Sequence, residues 1–491
     1  EGKFPPTTYV APVSAEADKV ITSVEPSKRW SDKQSGVTAE GVVFSNTAVN
    51  TIKDTRDTER SAISNRVMLK RTADGGYLLS LLEFLRKSPL FRFKGRVDYG
   101  RKAFTAWFDG LKSKGYSAKY LEEIKSAYEL YEGKPPPKGG ISGKPFIKKE
   151  KSSKVVTSDG QTAQKPRIIV DPGAEVKGMT GPFISQIYRI VKNAWQRPES
   201  PVLYVTAMGL ETVGARVDDF LSQHPRAVGV NIDMTALDAT LEVLIQTVLM
   251  KGVYMERFNA PAWLIQWVYC LKTQGTLPAG EHYHVKLRVP VTPENTKLIE
   301  MMCTILDVPM PEIEENAEGE LEYVLDSRQM CSGRSDTNLM DTLACVAVIS
   351  MALVALTSWL LLTCGDDGFL LVPPEDAVSA ARDVTASCNS AGLIPKVHVC
   401  TDRSEWEFCS KLFWFGEDPE TGRISTVLGP KPGRGMIRKG AIVNKAGVQS
   451  LRSALISLKR DAAHVPLLGE AAAHDDAIAA KKKLRVFGKP E

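Results

Sequence analysis

Two short apolar runs in the C-terminal half of the chain flank a polar tetrapeptide. Residues 360–364 (Leu-Leu-Leu-Thr-Cys) and 369–372 (Phe-Leu-Leu-Val) are separated by residues 365–368 (Gly-Asp-Asp-Gly). Short apolar runs on either side of such a tetrapeptide predict two strands joined by a tight turn. Glycine and aspartate are also common in solvated turns without function, so this motif alone is unspecific. The pattern predicts a β-hairpin whose turn carries the carboxylates of Asp366 and Asp367.

A second acidic pattern lies upstream. An apolar stretch over residues 228–232 ends at Asp233, and Asp238 follows five residues later. The stretch predicts a buried strand, and a helix is expected to begin near Asp238. Two Mg²⁺ ions about 3.5–4 Å apart require several carboxylate oxygens, which a strand-end aspartate beside a hairpin with two aspartates can supply. This combination predicts a site for nucleotidyl transfer with two cations.

Residues 343–364 contain no charged side chain, and the run is long enough to span a membrane. However, the run ends inside the Gly-Asp-Asp hairpin, and no basic cluster marks a cytoplasmic side. We therefore expect a buried helix followed by a buried strand, and no transmembrane segment.

The apolar periodicity elsewhere predicts an alternation of helices and strands without internal repeats. Residues 1–60 are rich in Pro, Ser and Thr and predict an extended arm. Helical patterns cover residues 61–85, 180–225, 239–272 with a break at 259–261, 374–391 and 450–463. Strand patterns predict hairpins at residues 282–289 and 406–413 and a strand at 397–399, and the acidic residues 311–326 predict an exposed insertion.

A small-residue loop over residues 330–336 leads directly into the long apolar helix. A loop at a helix N-terminus offers backbone N–H groups to polar ligand groups. Ser332 and Gly333 are the candidate contacts in this loop.

The length of 491 residues allows two to four subdomains with a substantial core. The net charge of +5 favours a polyanionic partner only where cations cluster. The eight cysteines include no Cys-x-x-Cys pair and no nearby histidine at zinc-ligand spacing, so we expect reduced core thiols, and no role is assigned to the six histidines. The first residues lack a basic and apolar leader pattern, so no signal peptide is expected.

Seven cations lie between Arg86 and Lys102, interleaved with aromatic residues. Such a stretch can follow a phosphate backbone and stack bases. A solvated helix face is an equally good interpretation.

A second basic stretch covers residues 145–170, where two strand-like segments are joined by a polar loop. Its cations lie along one ribbon and include Lys148, Lys149, Lys165 and Arg167. The ribbon is suited to hold a triphosphate or a template backbone, and a solvated charged hairpin is the alternative.

The order of these motifs resembles the RNA-dependent RNA polymerases of positive-strand RNA viruses, nearest the tombusvirus-like and carmovirus-like group. The resemblance covers about residues 145–415 as an ordered series. Asp233 and Asp238 match the Asp-x4-Asp of motif A, and residues 365–367 match the Gly-Asp-Asp of motif C. Each motif is unspecific alone, but their conjunction in this order is specific.

The resemblance implies a role for each matching residue. Asp233, Asp366 and Asp367 would hold Mg²⁺, for which Mn²⁺ is an expected substitute, and Asp238 would sense the ribose hydroxyl. The basic ribbon would contact the incoming triphosphate, chiefly through Lys165 and Arg167. Lys396 resembles the motif D lysine that protonates pyrophosphate, and residues 408–410 (Phe-Cys-Ser) resemble the primer grip.

Motif B of the family, Ser-Gly-x3-Thr-x3-Asn, maps onto Ser332, Gly333, Thr337 and Asp341. Here the chain departs from the family, because Asp341 stands where most members have Asn. Both side chains accept hydrogen bonds. The Asn amide also donates them, whereas an ionised Asp carboxylate does not. We expect Asp238 and Asp341 to repel one another unless one of them is protonated or paired with a cation.

The fold implied is α+β, a right hand whose antiparallel palm sheet is flanked by helices. Its expected division is an N-terminal arm (1–60), fingers (61–226), palm (227–250), a fingers insertion (251–325), palm again (326–415), and a thumb with the C-terminal tail (416–491). The implied partners are template RNA, nascent RNA and nucleoside triphosphates, with other viral replication proteins as further candidates. The implied location is the host cytoplasm, in a replication complex or a virion.

Two other functions compete with this one. A reverse transcriptase also has a palm with paired aspartates, but Gly365 and the residues from Ser332 to Asp341 favour RNA synthesis. A non-catalytic RNA-binding scaffold in a replication complex would explain the basic stretches and the apolar run, but would leave the aspartate motifs unexplained.

Overall fold

The computed structural model describes most of the chain between residues 50 and 481. The described residues are 22–26, 28–29, 50–53, 55–67, 71–138, 140–141, 143–150, 161–162, 165–271, 275–276, 282–283, 285–328, 330–417, 424–431, 441–442, 451–465 and 467–481. The basic residues 482–485 and most of the predicted N-terminal arm lie outside these ranges.

Fifteen α-helices form within the described ranges. They are α1 (Arg56–Ala62), α2 (Gly75–Lys87), α3 (Arg101–Ser113), α4 (Ala118–Tyr131), α5 (Gly173–Trp195), α6 (Leu210–Gln223), α7 (Leu237–Thr240), α8 (Val243–Leu249), α9 (Glu256–Phe258), α10 (Ala262–Tyr269), α11 (Pro293–Leu306), α12 (Thr337–Ala352), α13 (Ala377–Ser390), α14 (Leu451–Asp461) and α15 (Leu468–Lys481). A π-helical turn, Met250–Met255, joins α8 to α9, and Asn259 with positive φ ends this segment where the sequence predicts the break.

Twenty strands form within the same ranges. They are β1 (Thr22–Pro26), β2 (Lys28–Arg29), β3 (Asn50–Ile52), β4 (Lys144–Ile147), β5 (Gln161–Thr162), β6 (Ile168–Asp171), β7 (Val202–Tyr204), β8 (Val228–Met234), β9 (Gly275–Thr276), β10 (His282–Tyr283), β11 (Lys286–Pro290), β12 (Glu312–Glu315), β13 (Leu321–Asp326), β14 (Leu360–Cys364), β15 (Asp367–Val372), β16 (Pro395–Val399), β17 (Glu407–Phe408), β18 (Lys411–Glu417), β19 (Ile424–Pro430) and β20 (Ala441–Ile442).

The largest sheet has five strands in the order β16-β8-β15-β14-β7. β14 and β15 form the predicted hairpin around Gly-Asp-Asp, and β8 pairs antiparallel with both β15 and β16. The expectation of an antiparallel sheet needs correction at one edge, because β7 pairs parallel with β14. The fold is therefore a mixture of helices and strands with a mixed central sheet.

The interior strand β8 separates two hydrophobic cores because its side chains alternate between the two faces of the sheet. Val230 and Ile232 lie in the larger core, which includes much of α12 and α13. Gly229, Asn231 and Asp233 occupy the alternate positions of β8. The second core lies on the other side of the sheet and contains apolar residues of β14, β15, α6 and the β17–β18 hairpin.

Most of the predicted elements are confirmed. The uncharged run at 343–364 is the buried helix α12 followed by β14, and in the part of the chain that the structure describes no helix is long and apolar enough to cross a membrane. The acidic insertion is confirmed as exposed along β12, but its second strand, β13, buries Tyr323 and Leu325.

Two predictions are wrong, one about strand pairing and one about the burial of aromatic side chains. The expected hairpin over residues 282–289 does not form, because β10 pairs with β9 while β11 pairs with β13. Period-two alternation identifies a strand but not its partner.

The aromatic residues of the first basic stretch pack into or against the larger core, with Phe93 and Tyr99 partly buried. Phe91 is fully buried, and Phe93 stacks on Phe258 with ring centroids 5.4 Å apart. Phe104 stacks on Tyr128 at 3.7 Å. A buried ring cannot stack on an RNA base, so the prediction of base stacking is wrong for Phe91 and Phe104. It stays a prediction for the partly buried Phe93 and Tyr99.

Close packing at Gly229 generates a test of how the second core holds β8. A Cβ at Gly229 would lie 2.6 Å from Trp406 Nε1 and 2.8 Å from Phe369 Cζ, and both rings are buried. Because neither ring has room to move, we expect Gly229→Ala to lower the free energy of unfolding by about 1–3 kcal/mol.

Gly416 supplies the matched control for this denaturation measurement, since it also lies in a strand and its nearest neighbouring atom would be 4.0 Å from an added Cβ. Gly416→Ala should leave the stability unchanged or raise it by up to about 1 kcal/mol. Equal effects of the two substitutions would contradict the packing described for Gly229.

Candidate active site

A row of three charged side chains crosses the central sheet at the end of β8. Asp233 is paired in register with Asp367 of β15 on one side and with Lys396 of β16 on the other. Lys396 Nζ lies 2.9 Å from Asp233 Oδ2. Residues directly opposite one another on paired strands have neighbouring side chains, so the register brings the two predicted aspartate motifs together.

The hairpin turn adds Asp366 to this row, and the local electrostatics disfavour two ionised carboxylates there. Burial raises the pKa of Asp366, and the charge of Asp233 raises it further. Burial also raises the pKa of Asp367 to about 6, with further contributions from Asp366 and Asp233. Like charges in a half-buried site repel one another, and each ionised form loses solvation.

This donor set fits hard divalent cations. Carboxylate oxygens are the ligands that Mg²⁺ prefers, and a bound cation would offset the repulsion that raises the pKa values of Asp366 and Asp367. We therefore identify Asp233, Asp366 and Asp367 as the residues that would hold Mg²⁺ or Mn²⁺.

A polar stripe on the otherwise apolar helix α12 supports the hairpin turn. Gly365 has a φ of +66°, and its N–H donates to Thr342 Oγ1 at 2.9 Å. Asn338 lies one turn earlier and accepts a hydrogen bond from the Tyr204 hydroxyl. We did not predict these supporting residues, although their four-residue spacing on a helix that approaches the Gly-Asp-Asp motif was a usable signal.

The predicted loop before α12 contacts both motif A and the basic ribbon. Ser332 Oγ donates to Asp238 Oδ2 at 3.1 Å, and the Ser332 carbonyl accepts from Val170 N of β6 at 2.9 Å. Gly333 has a φ of +121°, and a Cβ there would lie 2.4 Å from the Val170 carbonyl oxygen. Thr337 Oγ1 donates within the loop, to the Cys331 and Arg334 carbonyls. The loop is thus fixed between β6 and Asp238.

A buried ion pair that we did not predict also holds this loop in place. Arg334 donates two hydrogen bonds to Asp336, at 3.0 and 2.8 Å, and a third to Gln246 Oε1 at 2.8 Å. The two charged side chains are only 3% and 2% exposed. Loss of either partner would leave the other charge buried and unpaired, which is strongly destabilising. The pair therefore holds the loop in a single conformation.

Asp341, where the chain departs from the resembling family, lies among acidic residues. Its Oδ1 is buried and has no hydrogen-bond partner among the described residues. Burial raises the pKa of Asp341 well above its usual range, and the charges of Asp238 and Asp366 act in the same direction. The protonated form is therefore favoured, and a protonated carboxyl both donates and accepts hydrogen bonds, as an Asn amide does.

The second basic stretch forms the predicted ribbon from β4 and β6, whose registers pair Lys144 with Asp171 and Ile147 with Ile168. Lys148 follows β4, and Arg167 precedes β6. Both side chains contact Glu150. Arg167 also lies close enough to Asp366 to lower the pKa of that carboxyl.

Sequence reasoning missed Glu150, whose side chain holds two of the four predicted phosphate contacts. Each cation lies 3.1 Å from Glu150 Oε1. Lys149 and Lys165 are exposed on the same ribbon.

The predicted primer-grip residues occupy the turn between β17 and β18. Cys409 and Ser410 have φ values of +50° and +60°, which suit a two-residue hairpin turn. Cys409 donates a hydrogen bond to the Cys364 sulfur, and this bond lowers the pKa of Cys364 to about 6. All eight cysteines are free thiols, and six of them are buried, as predicted.

Comparison of the chain with protein-family models and with curated proteins finds no match. The function therefore has to be argued from the geometry of this site.

The repulsion among the carboxylates predicts how metal and pH affect stability. The pKa of Asp367 is raised from 3.8 to about 6 in the folded protein, so its ionised form destabilises the fold above that pH. The penalty disappears below about pH 4, where the carboxyl is protonated in both the folded and the unfolded state.

Without divalent cations at pH 7.5, we expect Asp367→Asn to raise the Tm by on the order of 1–3 °C, and the difference from wild type to shrink as the pH falls towards 4. Millimolar Mg²⁺ should raise the Tm of the wild type more than that of the variant. Asp109→Asn, an exposed change on α3, is the control. An equal Mg²⁺ response of wild type and Asp367→Asn in thermal scans would contradict the assignment of Asp367 as a ligand.

Proposed function

We propose that this chain is an RNA-dependent RNA polymerase that copies an RNA template by nucleotidyl transfer with two divalent cations. The observation that carries the proposal is the register of β8, β15 and β16, which aligns Asp233 with Asp367 and with Lys396 beside the Asp366 turn. The hydrogen bond from Ser332 to Asp238 and the attachment of the loop to the basic ribbon supply further support.

Mg²⁺ held by Asp233, Asp366 and Asp367 would lower the pKa of the primer 3′-hydroxyl and neutralise charge on the triphosphate and the leaving pyrophosphate. The remaining work falls to positioning by the chain's own residues. This division explains why the proposed chemistry requires no nucleophilic serine, cysteine or histidine.

Arg167 and Lys148 would bind the triphosphate by exchanging one anionic partner for another. Both already contact the carboxylate of Glu150, so their side chains are oriented before a nucleotide arrives. Arg167 contacts both oxygens of Glu150, through Nε to Oε2 at 3.2 Å and through Nη2 to Oε1 at 3.1 Å. The same planar group can bind two phosphate oxygens through parallel hydrogen bonds.

Ser332, Asp238 and Asp341 would select the ribose. Ser332 holds Asp238 Oδ2, and Asp238 Oδ1 accepts from its neighbouring backbone N–H, so the carboxylate has a fixed orientation. The protonated carboxyl of Asp341 would donate the hydrogen bond that an amide donates in the resembling family. The sugar hydroxyls would then meet both an acceptor and a donor.

Lys396 would assist the leaving group. Its ammonium lies 2.9 Å from Asp233 Oδ2, so it is positioned beside the carboxylates that would hold the cations. A positioned lysine can then supply the proton that the leaving oxygen requires.

The proposal includes the right-hand arrangement of fingers, palm and thumb, with the palm built on the central sheet. It also includes template RNA, nascent RNA and other viral replication proteins as partners, within a replication complex in the host cytoplasm or in a virion. A non-catalytic scaffold would have no use for three carboxylates held side by side, of which Asp366 and Asp367 have raised pKa values, and this favours the catalytic proposal.

The experiment that tests the proposal is RNA synthesis on an RNA template with ribonucleoside triphosphates and Mg²⁺. Because Asp366 lies where transition-state charge develops, we expect Asp366→Ala to lower the rate by at least about 10³-fold while RNA binding and the Tm are retained. Asp109→Ala should retain the wild-type rate. Synthesis by Asp366→Ala at more than a few per cent of the wild-type rate would contradict the proposed role.

Asp341 provides a separate test of ribose selection and distinguishes this enzyme from a DNA-copying one. Asp341→Asn keeps a donor and an acceptor, so we expect the preference for ribonucleotides to remain within about threefold of wild type. Asp341→Ala removes both and should narrow that preference by about 10-fold or more.

The measurement for both variants is the ratio of kcat/KM for a nucleotide to that for its 2′-deoxy analogue. A wild-type ratio in Asp341→Ala would mean that Asp341 supports the helix only, and that sugar selection rests on Asp238 and its neighbours. A wild-type enzyme that prefers deoxynucleotides would contradict RNA synthesis as the function.

A further inference from the structure

A cluster of potential metal ligands lies at the end of the edge strand β16, away from the three aspartates. His398 and Cys400 are two residues apart, so their side chains lie on the same side of the extended backbone. The 3₁₀ turn Arg403–Glu405 folds back over this strand end and brings Glu405 to them. One ligand atom from each residue lies within 4.8 Å of the others.

The spacing of these atoms suits a tetrahedral cation. His398 Nε2 lies 3.4 Å from Glu405 Oε2. A nitrogen and an oxygen that are both bound to Zn²⁺ at about 2.0–2.1 Å, with a tetrahedral angle between them, are about 3.4 Å apart. That contact is long for a hydrogen bond between a ring nitrogen and a carboxylate, so the ion pair alone does not explain it well.

The donor types identify the cation. Imidazole, thiolate and carboxylate together are zinc ligands, whereas Mg²⁺ prefers oxygen donors alone. Three protein ligands leave a fourth position for water or for another donor.

Neighbouring groups already orient the carboxylate of this cluster. Thr401 donates to Glu405 through its backbone N–H at 2.8 Å and through Oγ1 at 3.2 Å. Hydrogen bonds of this kind to a ligating side chain are typical of established metal sites. Cys400 is 5% exposed and its backbone N–H donates to the Gly229 carbonyl, so its position is fixed by the sheet.

We propose that His398, Cys400 and Glu405 bind one Zn²⁺ ion, which fastens the end of the edge strand β16 to the Arg403–Glu405 turn that packs against β8. On binding, the Cys400 thiol would lose its proton to solvent as the sulfur–zinc bond forms.

The bracing role follows from the contacts between the cluster and β8. Asn231 Nδ2 donates to the Glu405 carbonyl at 2.9 Å, and Asn231 Oδ1 accepts from Glu407 N at 3.2 Å. Asn231 is also the register partner of His398. β16 is an edge strand with a partner on one side only, so a metal at its end would limit fraying of the strand that carries Lys396.

The test is zinc binding by the full chain, measured without RNA or nucleotides so that its outcome is independent of the proposed polymerase function. Metal-free protein is titrated with Zn²⁺ in competition with a chromophoric chelator. We expect one zinc per chain, with affinity reduced at least about 10-fold in His398→Ala and in Cys400→Ser. Far-UV circular dichroism checks that both variants fold, and His398 is exposed, so its removal leaves the core intact.

His224→Ala and Cys303→Ser are the matched controls, since the cluster contains neither residue. Both should bind zinc as the wild type does. Co²⁺ in place of Zn²⁺ should give a thiolate-to-metal charge-transfer band that Cys400→Ser abolishes and Cys303→Ser retains. Equal zinc affinity in wild type, His398→Ala and Cys400→Ser, or no zinc bound by folded wild type, would overturn the proposal and leave an ordinary ion pair beside a thiol.

Discussion

Repulsion among three carboxylates at the end of β8 is the constraint on which the site depends. Asp233 and Asp367 are register partners, and Asp366 lies in the adjoining turn. Desolvation makes the ionised forms of Asp366 and Asp367 costly, which their raised pKa values record. A fold that retains such a cluster does so at the expense of stability, and a bound divalent cation would offset that cost.

The surroundings of these carboxylates keep them together despite the repulsion. Thr342 of α12 accepts from the backbone N–H of Gly365, and Lys396 on the edge strand neutralises part of the charge of Asp233. The Arg334–Asp336 pair fixes the loop whose Ser332 orients Asp238. These interactions rest on the rigid sheet and on α12, which is the arrangement required to hold reacting groups in one geometry.

The sequence predicted those parts of the fold that depend on neighbouring residues. The Gly-Asp-Asp hairpin, the strand that ends near Asp233 and the loop before α12 all have local signals in the apolar pattern and in the turn residues. The parallel pairing of β7 and the partner of β11 depend on residues far away in the chain, and periodicity carries no information about them.

The same limit applies to the site. Ordered motifs identified the aspartates, but Glu150 on the basic ribbon was not predicted, because it acts through residues on either side of a loop. The sequence analysis also assigned no role to the pair formed by His398 and Cys400. His398 and Cys400 form a short i, i+2 pair, and the fold adds Glu405.

Template-directed synthesis is the central claim, and product sequencing tests it most directly. The wild-type chain is supplied with ribonucleoside triphosphates, Mg²⁺ and one of two RNA templates that differ only in an internal block of sequence. The account predicts two RNA products, each complementary to its own template across that block. Products whose sequence does not depend on the template, or no RNA product from folded protein on either template, would contradict it.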